Sequence, residues 1–108
     1  MDKTRALSAL SALGQEARLD VFRLLVVAGP EGMLAGEVAE ALGVLPNTLS
    51  SNLSILLAAG LVTRAREGRA LRYVADLKGM EALVGYLMED CCGGRPGLCA
   101  PQGLACAC

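Results

Sequence analysis

Residues 34–76 read LAGEVAEALGVLPNTLSSNLSILLAAGLVTRAREGRALRYVAD, and two periodicities meet inside them. LAGEVAEAL (34–42) has helical spacing and stops at Gly43, a residue type that readily takes the left-handed conformation past a helix end. After a three-residue turn, PNTLSSNLSILLAAG (46–60) sets Leu49, Leu53, Leu56 and Leu57 at i, i+4, i+7 and i+8, which predicts one buried face. The small polar residues Asn47, Thr48, Ser50, Ser51 and Asn52 cluster at its N-terminal end. Its start is open between two residues. Pro46 suits a first helical turn but leaves Leu45 as a poor cap, whereas Asn47 is a good cap one step later. From residue 61 the period shortens: LVTRAREGRALRYV (61–74) alternates about Glu67-Gly68, predicting a hairpin of two short strands.

Working outward, TRALSALSAL (4–13) repeats Leu at 7, 10 and 13, a short helical stripe that Gly14 interrupts. QEARLDVFRLLVVA (15–28) predicts a second helix, with Val21, Phe22, Leu24, Leu25 and Val26 apolar. AGPEGM (28–33) has the punctuation of a loop. DLKGMEALVGYLMEDCC (76–92) predicts a last helix with Met80, Leu83, Val84, Leu87 and Met88 as its stripe, and GGRPG then breaks regular structure. The fold expected is mostly α with a small β-hairpin, a single domain over 1–92 followed by a cysteine-rich tail over 93–108. With 54% hydrophobic and 3% aromatic residues in 108, packed helices are favoured over a sheet sandwich, and dimerisation would help bury the apolar surface. The apolar runs are broken well before membrane-spanning length, and MDKTRALSALSALG lacks the apolar core of a signal peptide. A cytoplasmic protein without a membrane partner is therefore expected.

Two helices joined by a three-residue turn, then a basic hairpin, is the order of a winged helix-turn-helix. In that arrangement the second helix enters the major groove of double-stranded DNA with its N-terminal side chains at base edges. Short Asn, Thr and Ser side chains let the backbone approach and supply donors and acceptors. Arg64, Arg66, Arg69 and Arg72 against Glu67 give the hairpin a net charge of 4 − 1 = +3, suited to phosphates or a flanking minor groove. Each feature alone is equally an ordinary solvated face. Their order and spacing together point to DNA. From Ala41 to Thr63 there is no charged residue, so electrostatic attraction must come from the hairpin, with Arg18 or Arg23 as further candidates.

LGQEARLDVFRLL (13–25) and the stretch quoted above resemble the ArsR/SmtB family of bacterial metal-sensing repressors along residues 7 to 77. The run of Ser, a polar residue and Leu, then LAAGLV leading into REGR, carries the resemblance. Where relatives commonly have Ser-x-His-Leu, this chain has Ser50-Ser51-Asn52-Leu53. The resemblance implies a homodimer through the first and last helices, which suits the Leu7/Leu10/Leu13 and Leu83/Val84/Leu87 stripes. Ordinary monomer core would explain those stripes equally well.

The resemblance also implies several alternative sensing sites. The Cys-x-Cys site of many arsenic sensors would fall in GMLAGEV (32–38), which has no cysteine. The zinc-type site on the last helix needs Asp and His; Asp76 is present, but Lys78 stands where His is expected. All five cysteines lie in residues 91–108, and the chain has no histidine. Cys91, Cys92 and Cys99 look like the three-thiolate site of arsenic-responsive members. Chemistry agrees: an all-thiolate donor set is soft and selects thiophilic ions, and three sulfurs complete the pyramidal shell of As(III) or Sb(III). Methylarsenite on two sulfurs, Cd(II) or Pb(II), and thiol oxidation are alternative stimuli. A metal-buffering protein with a vestigial DNA-binding fold is a different class. Cys106 and Cys108 form a separate pair with a minor role expected. Without His or a phosphate-cradling glycine loop, the sequence suggests no reaction and no enzyme.

Overall fold

The computed structural model describes residues 1–89. Five helices and three strands follow one another as α1 (Lys3–Leu13), α2 (Glu16–Ala28), β1 (Met33–Leu34), α3 (Ala35–Leu42), α4 (Pro46–Ala58), β2 (Val62–Glu67), β3 (Ala70–Ala75) and α5 (Leu77–Leu87), with a 3₁₀ turn at Gly29–Glu31 before β1. This is the winged helix-turn-helix expected, with a larger wing. The strands form an antiparallel sheet in the order β1-β3-β2, where a two-stranded hairpin was expected. Met33, read as loop, and Leu34, read as the first residue of a helix, pair with Tyr73 and Arg72. Two residues are too short a run to show alternation.

The helix ends follow from local chemistry. Asp2 caps α1 by accepting from the Arg5 N–H at 2.8 Å, and Asp76 caps α5 by accepting from the Gly79 N–H at 3.1 Å. Glu37 in the first turn of α3 accepts the Leu34 N–H at 2.8 Å. Gly43 closes α3 at φ 65°, ψ 34°, the left-handed conformation its sequence position predicted. The last helix ends at Leu87 rather than continuing to 92, with Met88 as its C-cap. Gly79 and Gly85 within it weaken helix propagation.

The core gathers Val21, Phe22 and Leu25 from α2, Val38 from α3, Leu49, Leu53 and Leu56 from α4, Leu61 and Val62 at the start of the wing, Tyr73 from β3 and Leu83 from α5. Each large side chain so buried contributes about 1.5–3 kcal/mol. In α1 the buried residues are Ala6, Ala9 and Ala12, whereas Leu7 is 58% exposed and Leu10 42%. Leu7 and Leu10 therefore look outward, Leu13 packs partly against the core, and the alanines let α1 lie close on it. Leu87 at the end of α5 is also exposed. No single described helix is long and apolar enough to cross a membrane.

Candidate nucleic-acid interface

Helices α3 and α4 meet at 115° across residues 43–45, within the usual range for a helix-turn-helix pair. Pro46 is the first residue of α4 and Leu45 its N-cap, with no side chain closing the end. The alternative start at Asn47 is thus set aside. Proline's fixed φ opens the helix, and its missing N–H is one the first turn could not have paired. Asn47 and Thr48 consequently sit inside the first turn, where backbone N–H groups lack helical acceptors and the helix dipole is positive.

Leu49, Leu53 and Leu56 are buried, and Asn47, Thr48, Ser50 and Ser51 are exposed. At 100° per residue, Asn47, Ser50, Ser51 and Ser54 form one stripe opposite the leucines. Ser54 is exposed too and extends the stripe by another turn. Its i+7 spacing from Asn47 puts it on the same face of the helix. Asn52 departs from expectation. At 9% exposure it belongs with the buried residues, since its position on the wheel falls beside Leu49 and Leu56 rather than on the polar stripe. It therefore lies on the inward flank of α4, apart from the exposed stripe.

The wing pairs Val62↔Ala75, Thr63↔Val74, Arg64↔Tyr73, Ala65↔Arg72, Arg66↔Leu71 and Glu67↔Ala70. Its two-residue turn is Gly68-Arg69, one position later than expected, with Gly68 at φ 63° supplying the conformation a tight hairpin demands. Opposed residues share a face, so Arg64 and Arg66 lie on the face of Leu71 and Tyr73. Leu71 and Tyr73, together with Ala35 and Ala39 of α3 and Pro46 and Ser50 of α4, line a shallow cavity of about 150 Å³ where the sheet meets the two helices. Two arginines thus share the sheet face turned toward the polar start of α4. Arg69 is exposed in the turn.

Arg72 lies on the opposite face. Its Nε and Nη2 donate to Glu67 at 2.5 and 3.3 Å, and its Nη1 donates to the Glu31 carbonyl at 3.0 Å. That hydrogen bond from Arg72 holds the Glu67 carboxyl below its ordinary pKa, and Glu67 in turn raises that of Arg72. Among the described residues Arg72 is therefore engaged, whereas no side-chain hydrogen bond is found from Arg64, Arg66 or Arg69. Arg18 is similarly occupied, its Nε donating to the Ala12 carbonyl at 2.7 Å and its Nη2 to that of Ser11 at 3.3 Å, at the C-terminal end of α1.

A helix-turn-helix domain model matches residues 13–65. A Halobacterium salinarum protein named as an arsenical resistance operon repressor, ArsR, is 39% identical over 75 residues, which are 69% of this chain and 57% of that protein's length. An ArsR-like transcriptional regulator from Rhodococcus sp. RHA1 superposes with a TM-score of 0.69 at 27% identity, covering 78% of this chain and 76% of its own. The chain belongs to the ArsR family of winged-helix regulators. Other solved structures similar to this ArsR-family chain include HlyU from Vibrio cholerae N16961, with a TM-score of 0.66 at 26% identity over 85% of this chain and 99% of that one. The homodimeric winged helix-turn-helix DNA-binding domain Mb0332 from Mycobacterium bovis gives 0.65 at 27% identity, over 81% of each chain.

Among the described residues, no group of three or more His, Cys, Asp or Glu side chains is placed to hold a metal ion. Asp76, one half of the zinc-type pattern, caps α5 by accepting the Gly79 N–H. Cys91, Cys92 and Cys99, the expected metal(loid) ligands, and the tail of residues 93–108 lie outside the described residues, as do Cys106 and Cys108.

Proposed function

We propose that this ArsR-family chain is a transcriptional repressor that binds operator DNA as a homodimer and releases it when As(III) or Sb(III) is taken up by Cys91, Cys92 and Cys99. The observation that carries the DNA-binding half is the shared orientation of two surfaces. The outward stripe of α4 is uncharged and fitted to base edges, and the arginines at 64, 66 and 69 supply the charge beside it. The outward leucines of α1 and the exposed Leu87 of α5 support a dimer built from those two helices. Two copies so joined would present their α4 helices to half-sites about 34–36 Å apart.

The effector half rests on donor chemistry and chain connectivity. Three thiols without histidine fit a soft, three-coordinate ion, and Cys91 follows the last residue of α5 by four positions. Binding of the ion displaces thiol protons and draws the three sulfurs together, next in sequence to a helix anchored in the core by Leu83. A hundredfold loss of DNA affinity requires about 2.7 kcal/mol of differential affinity of the ion for the two states.

A mobility-shift titration tests both halves, using a duplex selected by the wild-type protein from a random-sequence library. Arsenite abolishes the shift of the wild type, and Cys99→Ser binds the duplex normally but ignores arsenite. Failure to select any duplex would leave metal buffering as the function. Selection followed by an undiminished arsenite response in Cys99→Ser would refute the three-sulfur site.

A further inference from the structure

The wing projects from the core with little burial to hold it. Val62 is buried at its base, but every residue of the outer strand and turn from Thr63 to Arg69 is exposed. A two-stranded ribbon of this kind is marginally stable by itself and free to twist. If Arg64 and Arg66 are to meet phosphates at fixed places, something must fix the wing's angle to α4.

Arg72 has the geometry for that task. It sits on β3, the central strand, and its guanidinium reaches both edges of the sheet. On one side Nε and Nη2 grip the two carboxylate oxygens of Glu67, the last residue of β2 before the turn. On the other, Nη1 donates to the Glu31 carbonyl, in the 3₁₀ turn that precedes β1 and lies 41 residues away in sequence. Only a planar fork spans both acceptors at once; lysine's single ammonium does not. The register places this fork on the face opposite Arg64 and Arg66. Exposed ion pairs contribute little to overall stability, so the consequence of this one is positional.

We propose that Arg72 is a positioning residue for DNA recognition, clamping the wing tip through Glu67 to the turn at Glu31 and so holding Arg64 and Arg66 beside α4 without itself touching DNA. The proposal rests on the operator-binding reading above, and its test includes a measurement independent of DNA. In the free wild-type protein, ¹⁵N relaxation reports ordered amides for residues 64–68, and Arg72→Lys lowers their order parameters while the melting temperature barely changes. Unchanged order parameters in Arg72→Lys would overturn the clamp whether or not the protein binds DNA.

On the selected duplex, Arg72→Lys and Arg72→Gln both bind roughly fivefold more weakly, in the range of modest site-to-site coupling. Glu67→Gln also weakens binding, although it removes a negative charge beside the phosphates. Removing Arg66 costs less in the Arg72→Lys background than in the wild type, a coupling that a merely structural loss would not produce. Wild-type affinity in Arg72→Lys would mean that the charge alone acts, as in a phosphate contact, and tighter binding by Glu67→Gln would mean simple electrostatics. An Arg66→Ala cost equal in both backgrounds would show that the two arginines act independently. Any of these three results overturns the proposal. If the wild type selects no duplex, the operator-binding reading fails, and the relaxation result still decides the clamp.

Discussion

Helix α4 and the wing are built on opposite terms. Helix α4 has no charged residue and is held by Leu49, Leu53 and Leu56, all buried in the core. The wing carries four arginines and is held at its outer end by hydrogen bonds from one of them. Apolar burial fixes a helix from beneath over its whole length. Exposed polar ties fix a ribbon at a few points and leave it adjustable. Shape and charge are thus assigned to different elements, and the two should fail in different ways.

The most damaging change removes the distinction altogether. Leu53→Ala empties a fully buried site at the centre of α4, costing about 2–5 kcal/mol. For a domain of this size the melting midpoint falls by about 4–8 °C per kcal/mol. Calorimetry should show one transition, with DNA binding lost only as the fold is lost.

Next in size is a change beneath the wing. Gly32 has φ 61°, and a Cβ there would lie 2.2 Å from the Tyr73 carbonyl oxygen, so β1 and β3 could not keep their approach. Gly32→Ala should cost about 1–3 kcal/mol through backbone strain. Hydrogen exchange should then accelerate first in the amides of β1 and β3, with α4 remaining protected. Equal acceleration in both would mean that wing and helix open as one unit.

Smaller effects separate charge from shape. Arg66→Ala should flatten the dependence of log affinity on log salt by about 0.9, the loss of one phosphate contact. Ser50→Ala should leave that slope alone and relax base preference at one position, as read by competition with altered duplexes. The opposite pattern would exchange the roles of the two elements.

The smallest expected effect is acidification. Arg72 stays charged, and the Glu67 carboxyl is held below its ordinary value. A depressed carboxylate contributes stability above its unfolded pKa and loses it as pH falls through the folded one. The wing tie should therefore be intact at neutral pH and loosen only at pH values below the ordinary glutamate range. Chemical shifts of wing amides should move there before those of α4.

Much of the fold was legible because local signals agreed. Gly43 sat at a helix end, the leucines of 49–57 kept helical spacing, and the arginine-rich segment alternated about a glycine. What escaped was set by partners distant in sequence. Met33 and Leu34 form a strand only because Tyr73 and Arg72 come alongside. In α1 the leucines repeat at helical spacing, yet the alanines are the residues that face the core, since a close crossing favours small residues there. Within the candidate interface, Asn52 was counted among polar neighbours, although its angle around the helix turns it inward.

By itself the sequence determined the order of the helices, which face of α4 is apolar, that the charge lies in the wing, and that every thiol lies in the last eighteen residues. These follow from residue type and spacing along one chain. The tertiary structure alone decided which arginines face α4 and which one is consumed in tying the wing down. Strand register and a carbonyl 41 residues away settle that division, and neither is written in the residues around Arg72.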